Sequence, residues 1–155
     1  MSNLQCEDGA PVLPPKGIAL AIEPKYIAEY WSRVEPRFRE IEAFTLLLAS
    51  DDIHRWLLSG QMRLFGVLDQ TGQAVPAIAR VVESARGAIC RLWLLASHSD
   101  AASAGALLDE VEVFARQHSC VALEINAHPD MARHFEGRPS AVVFERDLRL
   151  GLRVN

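Results

Sequence analysis

The chain has 155 residues, of which 50% are hydrophobic and 23% are charged. This length predicts one domain, and this composition is typical of a folded globular protein. The formal net charge of -4 argues against a broad basic surface for nucleic acid or anionic lipid. No apolar run approaches the roughly 20 residues of a membrane-spanning helix, and no secretory signal is visible at the N-terminus.

The three cysteines, Cys6, Cys90 and Cys120, are widely spaced and form no C-x-x-C pair. This pattern fits neither a disulfide framework nor a zinc site. We therefore expect a reduced, cytoplasmic protein without a bound metal. Cys90 lies in an apolar segment, where a cysteine most often fills core space.

The N-terminal residues 1–16 are expected to lie outside the core as a flexible arm, because they contain Pro11, Pro14 and Pro15. A single domain then covers 17–155. Its first segment, 17–22, is short and apolar and is predicted to be a strand.

Apolar side chains then recur at three- and four-residue steps from Tyr26 to Ile41, which places them on one face of a helix. Pro36 interrupts this pattern. A proline inside a helix removes a backbone donor, so we expect the helix to kink or end near Glu35.

A second helix is predicted to start at Ser50, whose hydroxyl can accept from exposed backbone N–H groups. Two aspartates follow, where the positive end of the helix dipole favours them. Ile53, Trp56 and Leu57 provide its buried face. Gly60 is placed for a left-handed C-terminal cap.

A three-stranded meander follows. Its third strand is apolar on both faces, which favours a central position in the sheet. Pro76 limits the first half of the second strand to an edge or a bulge. The predicted strands and the turns between them are 62–68, 69–72, 74–83, 84–87 and 88–96.

The loop 97–103 leads into a helix, and an alternating segment, 121–126, predicts the next strand. A short helix, 129–135, and a closing strand, 141–150, complete the chain. The order β-α-α-β-β-β-α-β-α-β predicts an α/β fold with a mixed sheet. Strands 88–96 and 121–126 should be parallel neighbours, because a crossover helix joins them. The apolar face predicted for that helix is Leu107, Leu108, Val111, Phe114 and Ala115.

This order and several local segments resemble the GNAT-type N-acetyltransferase superfamily, in particular the small GNAT-like proteins that tailed phages encode. The resemblance implies a mixed sheet flanked by helices, the GNAT-like fold. The segments that carry it are 90–95, 105–112, 114–116, 122–126, 132–135 and 142–148.

The resemblance implies acetyl-CoA as the cofactor. In the superfamily the strand before the long helix bulges and contacts the acyl arm, and a Gly-rich loop at the helix start holds the pyrophosphate. Matching places Ser99, Asp100, Ala102 and Ala104 on the positions of the family's arginine and three glycines, and none keeps the family residue type. The positions assigned to the cofactor are Leu94, Leu95, Ala96, Ser99, Ala102, Ala104 and Gly105.

Glu124 and His128 are the candidate catalytic residues. A carboxylate at Glu124 could take a proton from an attacking ammonium, and His128 could titrate near neutral pH. The alternative for Glu124 is an exposed or salt-bridged strand residue, and for His128 a surface or capping position. The tyrosine that the family often uses as general acid is replaced by Glu136.

Two functions follow from the resemblance. The first is an acyl-CoA-dependent N-acyltransferase that acetylates an unidentified amine on a small molecule or a protein. The second is a non-catalytic GNAT-like binding or structural module, for example one encoded by a phage. Fold alone does not choose between them, and a homodimer is left open.

Overall fold

A computed structural model describes residues 16–42, 49–95 and 101–127. Within these residues the element order is β-α-α-β-β-β-α-β, in agreement with the sequence prediction. The predicted arm, 129–135 helix and 141–150 strand lie outside the described residues. The elements are β1 (Leu20–Ile22), α1 (Ile27–Glu42), α2 (Ser50–Leu58), β2 (Arg63–Leu68), β3 (Ala74–Ser84), β4 (Gly87–Leu94), α3 (Ala101–Gln117) and β5 (Ala122–Asn126).

The five strands form one mixed sheet in the order β1-β2-β3-β4-β5. The first three pairs are antiparallel. β4 and β5 are parallel, with a register from Ile89↔Ala122 to Trp93↔Asn126. The predicted parallel pairing across the crossover helix is therefore confirmed.

One face of the sheet packs against α3, and we call it the α3 face. Leu107, Val111 and Ala115 of the helix are buried there, as their spacing predicts. Leu108 and Phe114 are only partly buried against the same cluster. The sheet and flanking residues buried on this face are Ala19, Phe65, Val67, Val75, Ala77, Ala79, Cys90, Leu92 and Leu94.

The opposite face packs against α1 and α2, and we call it the α1/α2 face. Its sheet and flanking residues in the buried cluster are Leu20, Ile22, Met62, Leu64, Ile78 and Leu95. The helices contribute Val34, Phe38, Ile53 and Leu57. Aromatic side chains surround this cluster and are partly buried against it, namely Tyr26, Tyr30, Trp31, Trp56 and Trp93.

Of the two outcomes predicted at Pro36, a kink or an end, the helix end does not occur, because α1 continues to Glu42. Val34 and Phe38 on either side of the proline are both buried on the α1/α2 face, whereas Pro36 is exposed. Packing of the apolar stripe therefore outweighs the local cost of the missing N–H.

α2 begins at Ser50, as predicted, but its N-terminal cap differs from the prediction. The N-cap is Ala49 rather than Ser50, which is already helical and buried, so the predicted hydroxyl cap at Ser50 is wrong. Gly60 has φ +77°, the left-handed conformation expected of a glycine after a helix.

The remaining boundary differences have local causes. β1 begins only at Leu20, because Gly17 turns the chain with φ +80°. In β3 the register pairs with β4 begin at Ala77, and the Leu95 N–H just beyond β4 donates to the Pro76 carbonyl. The edge predicted for the first half of this strand is therefore limited to Ala74 and Val75, and the β2 register runs through Pro76 without a bulge.

Candidate functional site

Near the end of β4, the backbone N–H and carbonyl groups of successive residues face β3 and β5 alternately. The Leu95 N–H donates to the Pro76 carbonyl on the β3 side at 3.3 Å. The Leu92 carbonyl accepts from Asn126 on the β5 side. Alternation then directs the backbone groups of Leu94 toward β5. Leu94 is the last described residue of β4 that faces the parallel partner, one position beyond the final register pair.

The expected bulge in this strand is absent from its described part. The pairing of β4 with β3 runs without a break from Gly87 to Leu94, and the β5 register is equally continuous. An inserted residue would shift the register at the bulge. Backbone contacts to an acyl arm would therefore come from the end of a regular strand.

The N-terminus of α3 follows this strand end in sequence. The helix begins at Ala101, so Ala102 belongs to the helix and not to the loop predicted over 97–103, and Ala104 and Gly105 are helical as well. Ala104 is 1% exposed and packs in the core of the α3 face, whereas Ala102 is exposed.

The first turn of α3 has the character of an anion site. The first four N–H groups of a helix have no intrahelical partner, and the dipole is positive there. None of its described residues, Ala101 to Ala104, is acidic, and Asp100 precedes them directly in the sequence. Gly105 is the fifth residue of α3, so its N–H donates within the helix to the carbonyl four residues earlier. A Cβ at Gly105 would meet no described atom within 4 Å, so this exposed glycine leaves open space beside the turn.

Glu124 lies on the α1/α2 face and is opposite Arg91 in the register. The two side chains form an ion pair between the Arg91 Nε and Glu124 Oε2 atoms, and they are 39% and 43% exposed. The salt-bridged alternative considered for Glu124 therefore describes its geometry in this structure. As a base, the carboxylate would have to accept a proton while the guanidinium is beside it, or after that contact breaks.

Asn126 is the last residue of β5 and pairs with Trp93. Its Nδ2 donates to the Leu92 carbonyl at 3.2 Å in a partly buried position. With the Arg91–Glu124 pair, this bond forms a second side-chain link between β4 and β5 close to the end of their pairing.

Four of the predicted or matched positions lie outside the described residues. They are Ala96, Ser99, Asp100 and His128. Of the nine site residues predicted from sequence, the structure thus places Leu94, Leu95, Ala102, Ala104, Gly105 and Glu124.

Cys90 has no nucleophilic character. It is fully buried on the α3 face, and burial, with a smaller contribution from the nearby Cys120, raises its pKa to about 11. The thiol is therefore protonated at neutral pH. Among the described residues, no group of three or more His, Cys, Asp or Glu side chains could hold a metal ion. No helix in the same residues has the length and apolar character to cross a membrane.

No protein-family model and no curated protein matches the sequence. Solved structures do match the fold. An aminoglycoside acetyltransferase from an uncultured soil metagenomic sample, crystallised with trehalose, aligns with a TM-score of 0.59 and 11% identity. The alignment covers 83% of this chain and 94% of that one.

A ribosomal-protein-alanine N-acetyltransferase from Brucella melitensis biovar Abortus 2308 aligns with a TM-score of 0.54 and 15% identity, over 83% of this chain and 99% of that one. A probable acetyltransferase has the same TM-score at 10% identity, over 82% and 99% of the two chains. The chain has the GNAT acetyltransferase fold. These GNAT-fold structures give no support to the phage-encoded subgroup.

Sequence reasoning missed the role of Arg91, and it noted Asn126 only as part of the family resemblance. A signal for Arg91 was present, since a charged residue inside the apolar segment 90–95 needs a partner or solvent. The partner could not be identified, because a crossover helix does not fix the register between the strands it joins.

Proposed function

We propose that the protein transfers an acetyl group from acetyl-CoA to a primary amine. The observation that carries the proposal is a juxtaposition in the GNAT fold. The first described turn of α3 follows β4 at the end where its described pairing with β5 stops. The N–H groups of such a turn have no partner within the helix, and none of the residues Ala101 to Ala104 is acidic.

The residues present fit the cofactor. The N–H groups of the first turn, Ala101 to Ala104, would bind the pyrophosphate, and the open space at Gly105 admits the approach. The Leu94 carbonyl would orient the pantetheine arm by accepting a strand-like hydrogen bond. When bound, acetyl-CoA supplies the thioester that the amine attacks.

Glu124 is the described β5 carboxylate on the α1/α2 face. It lies two residues before Asn126, about 7 Å along the strand. We propose that it accepts the proton of the ammonium through a water molecule while Arg91 holds its orientation. His128, which follows β5 in sequence, is the second candidate for this proton transfer.

The names of the structural neighbours provide two probes for the amine. One neighbour is a ribosomal-protein-alanine N-acetyltransferase, and another is an aminoglycoside acetyltransferase crystallised with sisomicin. A peptide with an N-terminal alanine and sisomicin therefore test a protein amine and an amino sugar separately.

The direct experiment is a calorimetric titration of the folded protein with acetyl-CoA, together with its melting temperature. At 100 times Kd, binding should stabilise the fold by about 2.7 kcal/mol, which raises Tm by several degrees. A flat titration and an unchanged Tm at millimolar acetyl-CoA would reject the proposal. The non-catalytic binding module would then stand, as the altered pyrophosphate loop allows.

Ala102→Glu sharpens this test, because it affects folding and binding in opposite directions. A carboxylate in the first turn favours the helix dipole, whereas it repels a bound pyrophosphate. We expect a stable protein with weaker acetyl-CoA affinity. Gln117→Glu, at the other end of α3, is the matched control and should leave the affinity unchanged.

A further inference from the structure

We propose that Asn126 is a positioning residue of the acyl-transfer site, whose side-chain amide holds β4 and β5 together at the last described step of their parallel pairing. The inference rests on the acetyl-transfer function proposed above. It assigns a role in the reaction to a residue that need not touch the cofactor.

The amide bond lies at the last described step of the parallel pairing. Asn126 ends β5, its register partner is Trp93, and its Nδ2 reaches the Leu92 carbonyl at 3.2 Å. That carbonyl and the backbone of Leu94 face the same side of β4, two residues apart. The hydrogen bond from Asn126 to the Leu92 carbonyl therefore restrains β4 next to the backbone proposed to hold the pantetheine arm.

The identity of the residue supports this role. Asparagine is disfavoured in strands, where β-branched and aromatic residues fit better. A backbone ladder needs no side-chain donor, so an apolar residue would suffice for pairing alone. The neighbouring Arg91–Glu124 pair joins the same strands two residues earlier, and both links are partly buried. The amide is the link nearer the strand end.

The functional consequence follows from the sensitivity of group transfer to geometry. A displacement of about 1 Å can cost on the order of 100-fold in rate. Loss of the amide should let the end of β4 move relative to β5. We therefore expect a lower rate of the chemical step with nearly unchanged cofactor affinity, since the first turn of α3 is untouched.

The test compares Asn126→Ala, Asn126→Asp and Asn126→Gln with the wild-type protein. Ser59→Ala is the control, because it also removes one side-chain bond to a backbone carbonyl, from Ser59 Oγ to Trp56 O at 3.1 Å, but far from the strand end. The probes are acetyl-CoA with sisomicin or a peptide with an N-terminal alanine as the acceptor, with amine-dependent thiol release as the reaction readout and calorimetry with acetyl-CoA for Kd. Amide hydrogen exchange at Leu94 reports the strand end independently of activity.

For Asn126→Ala we expect exchange at Leu94 to rise at least tenfold, kcat to fall roughly 10- to 100-fold, and Kd to change less than threefold. Asn126→Asp should be at least as impaired, because a carboxylate cannot donate to the Leu92 carbonyl. Asn126→Gln keeps the donor and should recover part of the rate. Ser59→Ala should resemble the wild-type protein in all three measurements.

Unchanged amide exchange at Leu94 in Asn126→Ala would overturn the inference by itself. An unchanged kcat in this variant would do the same, and so would a loss of kcat matched by an equal loss of affinity. Failure of the wild-type protein to bind acetyl-CoA would overturn the inference together with the proposed function. The two failures are thus distinguishable.

Discussion

The two faces of the sheet use the same strands for different purposes. Across β3, β4 and β5, the α3 face presents Ala79, Leu92 and Ile125 in register, all apolar. One residue along, the α1/α2 face presents Arg80, Arg91 and Glu124 in register. Stability is therefore concentrated on the α3 face at this end of the sheet, whereas groups capable of chemistry lie on the other. Substitutions that affect stability and those that affect function should separate by face.

Leu107→Ala should show the largest effect. Leu107 is fully buried between α3 and the sheet, so its truncation should cost about 2–5 kcal/mol of the free energy of unfolding. Urea denaturation measures the loss. Val113→Ala on the same helix is the control, since Val113 is 45% exposed and should change stability by less than about 0.5 kcal/mol. A loss below about 1 kcal/mol for Leu107→Ala would contradict the packing of the α3 face.

The buried Cys90 thiol should make the folded protein less stable at alkaline pH. Burial raises its pKa from 9.0 to about 11 in the folded protein, so the folded state binds the proton more tightly than the unfolded chain. Its contribution is fully present below pH 9 and is lost as the pH rises through 11, to a total of about 3 kcal/mol. The urea midpoint should therefore fall more steeply between pH 9 and 11 in the wild-type protein than in Cys90→Ala. Parallel curves would show that the thiol is accessible to solvent.

Phe114→Ala distinguishes the edge of the α3 face from its centre. A fully buried phenylalanine would lose about 3–5 kcal/mol on truncation, whereas Phe114 is only partly buried and meets Phe65 edge-on at 5.4 Å between ring centroids. We expect a loss of about 1–2 kcal/mol, by the same urea measurement. A loss equal to that of Leu107→Ala would place Phe114 in the centre of the core.

The regular periodicities explain why so much of the fold could be predicted. The stripe Leu107, Val111 and Ala115 repeats every four residues and can pack only along one helical face, and the structure buries all three. Strand alternation likewise separated Glu124 from Leu123 and Ile125. Both inferences depend on local geometry alone, which a sequence records directly.

The errors arose where tertiary packing decides. Pro36 is a local helix breaker, but the burial of Val34 and Phe38 keeps α1 intact. The start of α3 at Ala101 moved Ala102 from the predicted loop into the helix. The partner of Glu124 depends on the register across a crossover, which no spacing along the chain encodes.

Glu124→Gln should have the smallest effect on stability and is the most informative substitution on the α1/α2 face. The Arg91–Glu124 pair is well exposed, so its loss should cost about 0.2–1 kcal/mol at low salt. The difference should largely disappear near 1 M salt, where the Debye length is about 3 Å. A loss above about 2 kcal/mol would show that the pair belongs to the core, and the contrast between the faces would fail.

Glu124→Gln, compared with Arg91→Gln, tests whether Glu124 acts as a general base or only joins β4 to β5 through its ion pair. A general base contributes roughly 10²- to 10⁴-fold to the rate, so Glu124→Gln should lower thiol release from acetyl-CoA by that order without a matching loss of stability. Arg91→Gln retains the carboxylate and should keep most of the activity. If the ion pair serves only to join β4 and β5, both variants break the same contact and should lower the rate equally. Equal losses would remove Glu124 from the mechanism and leave His128 as the candidate base.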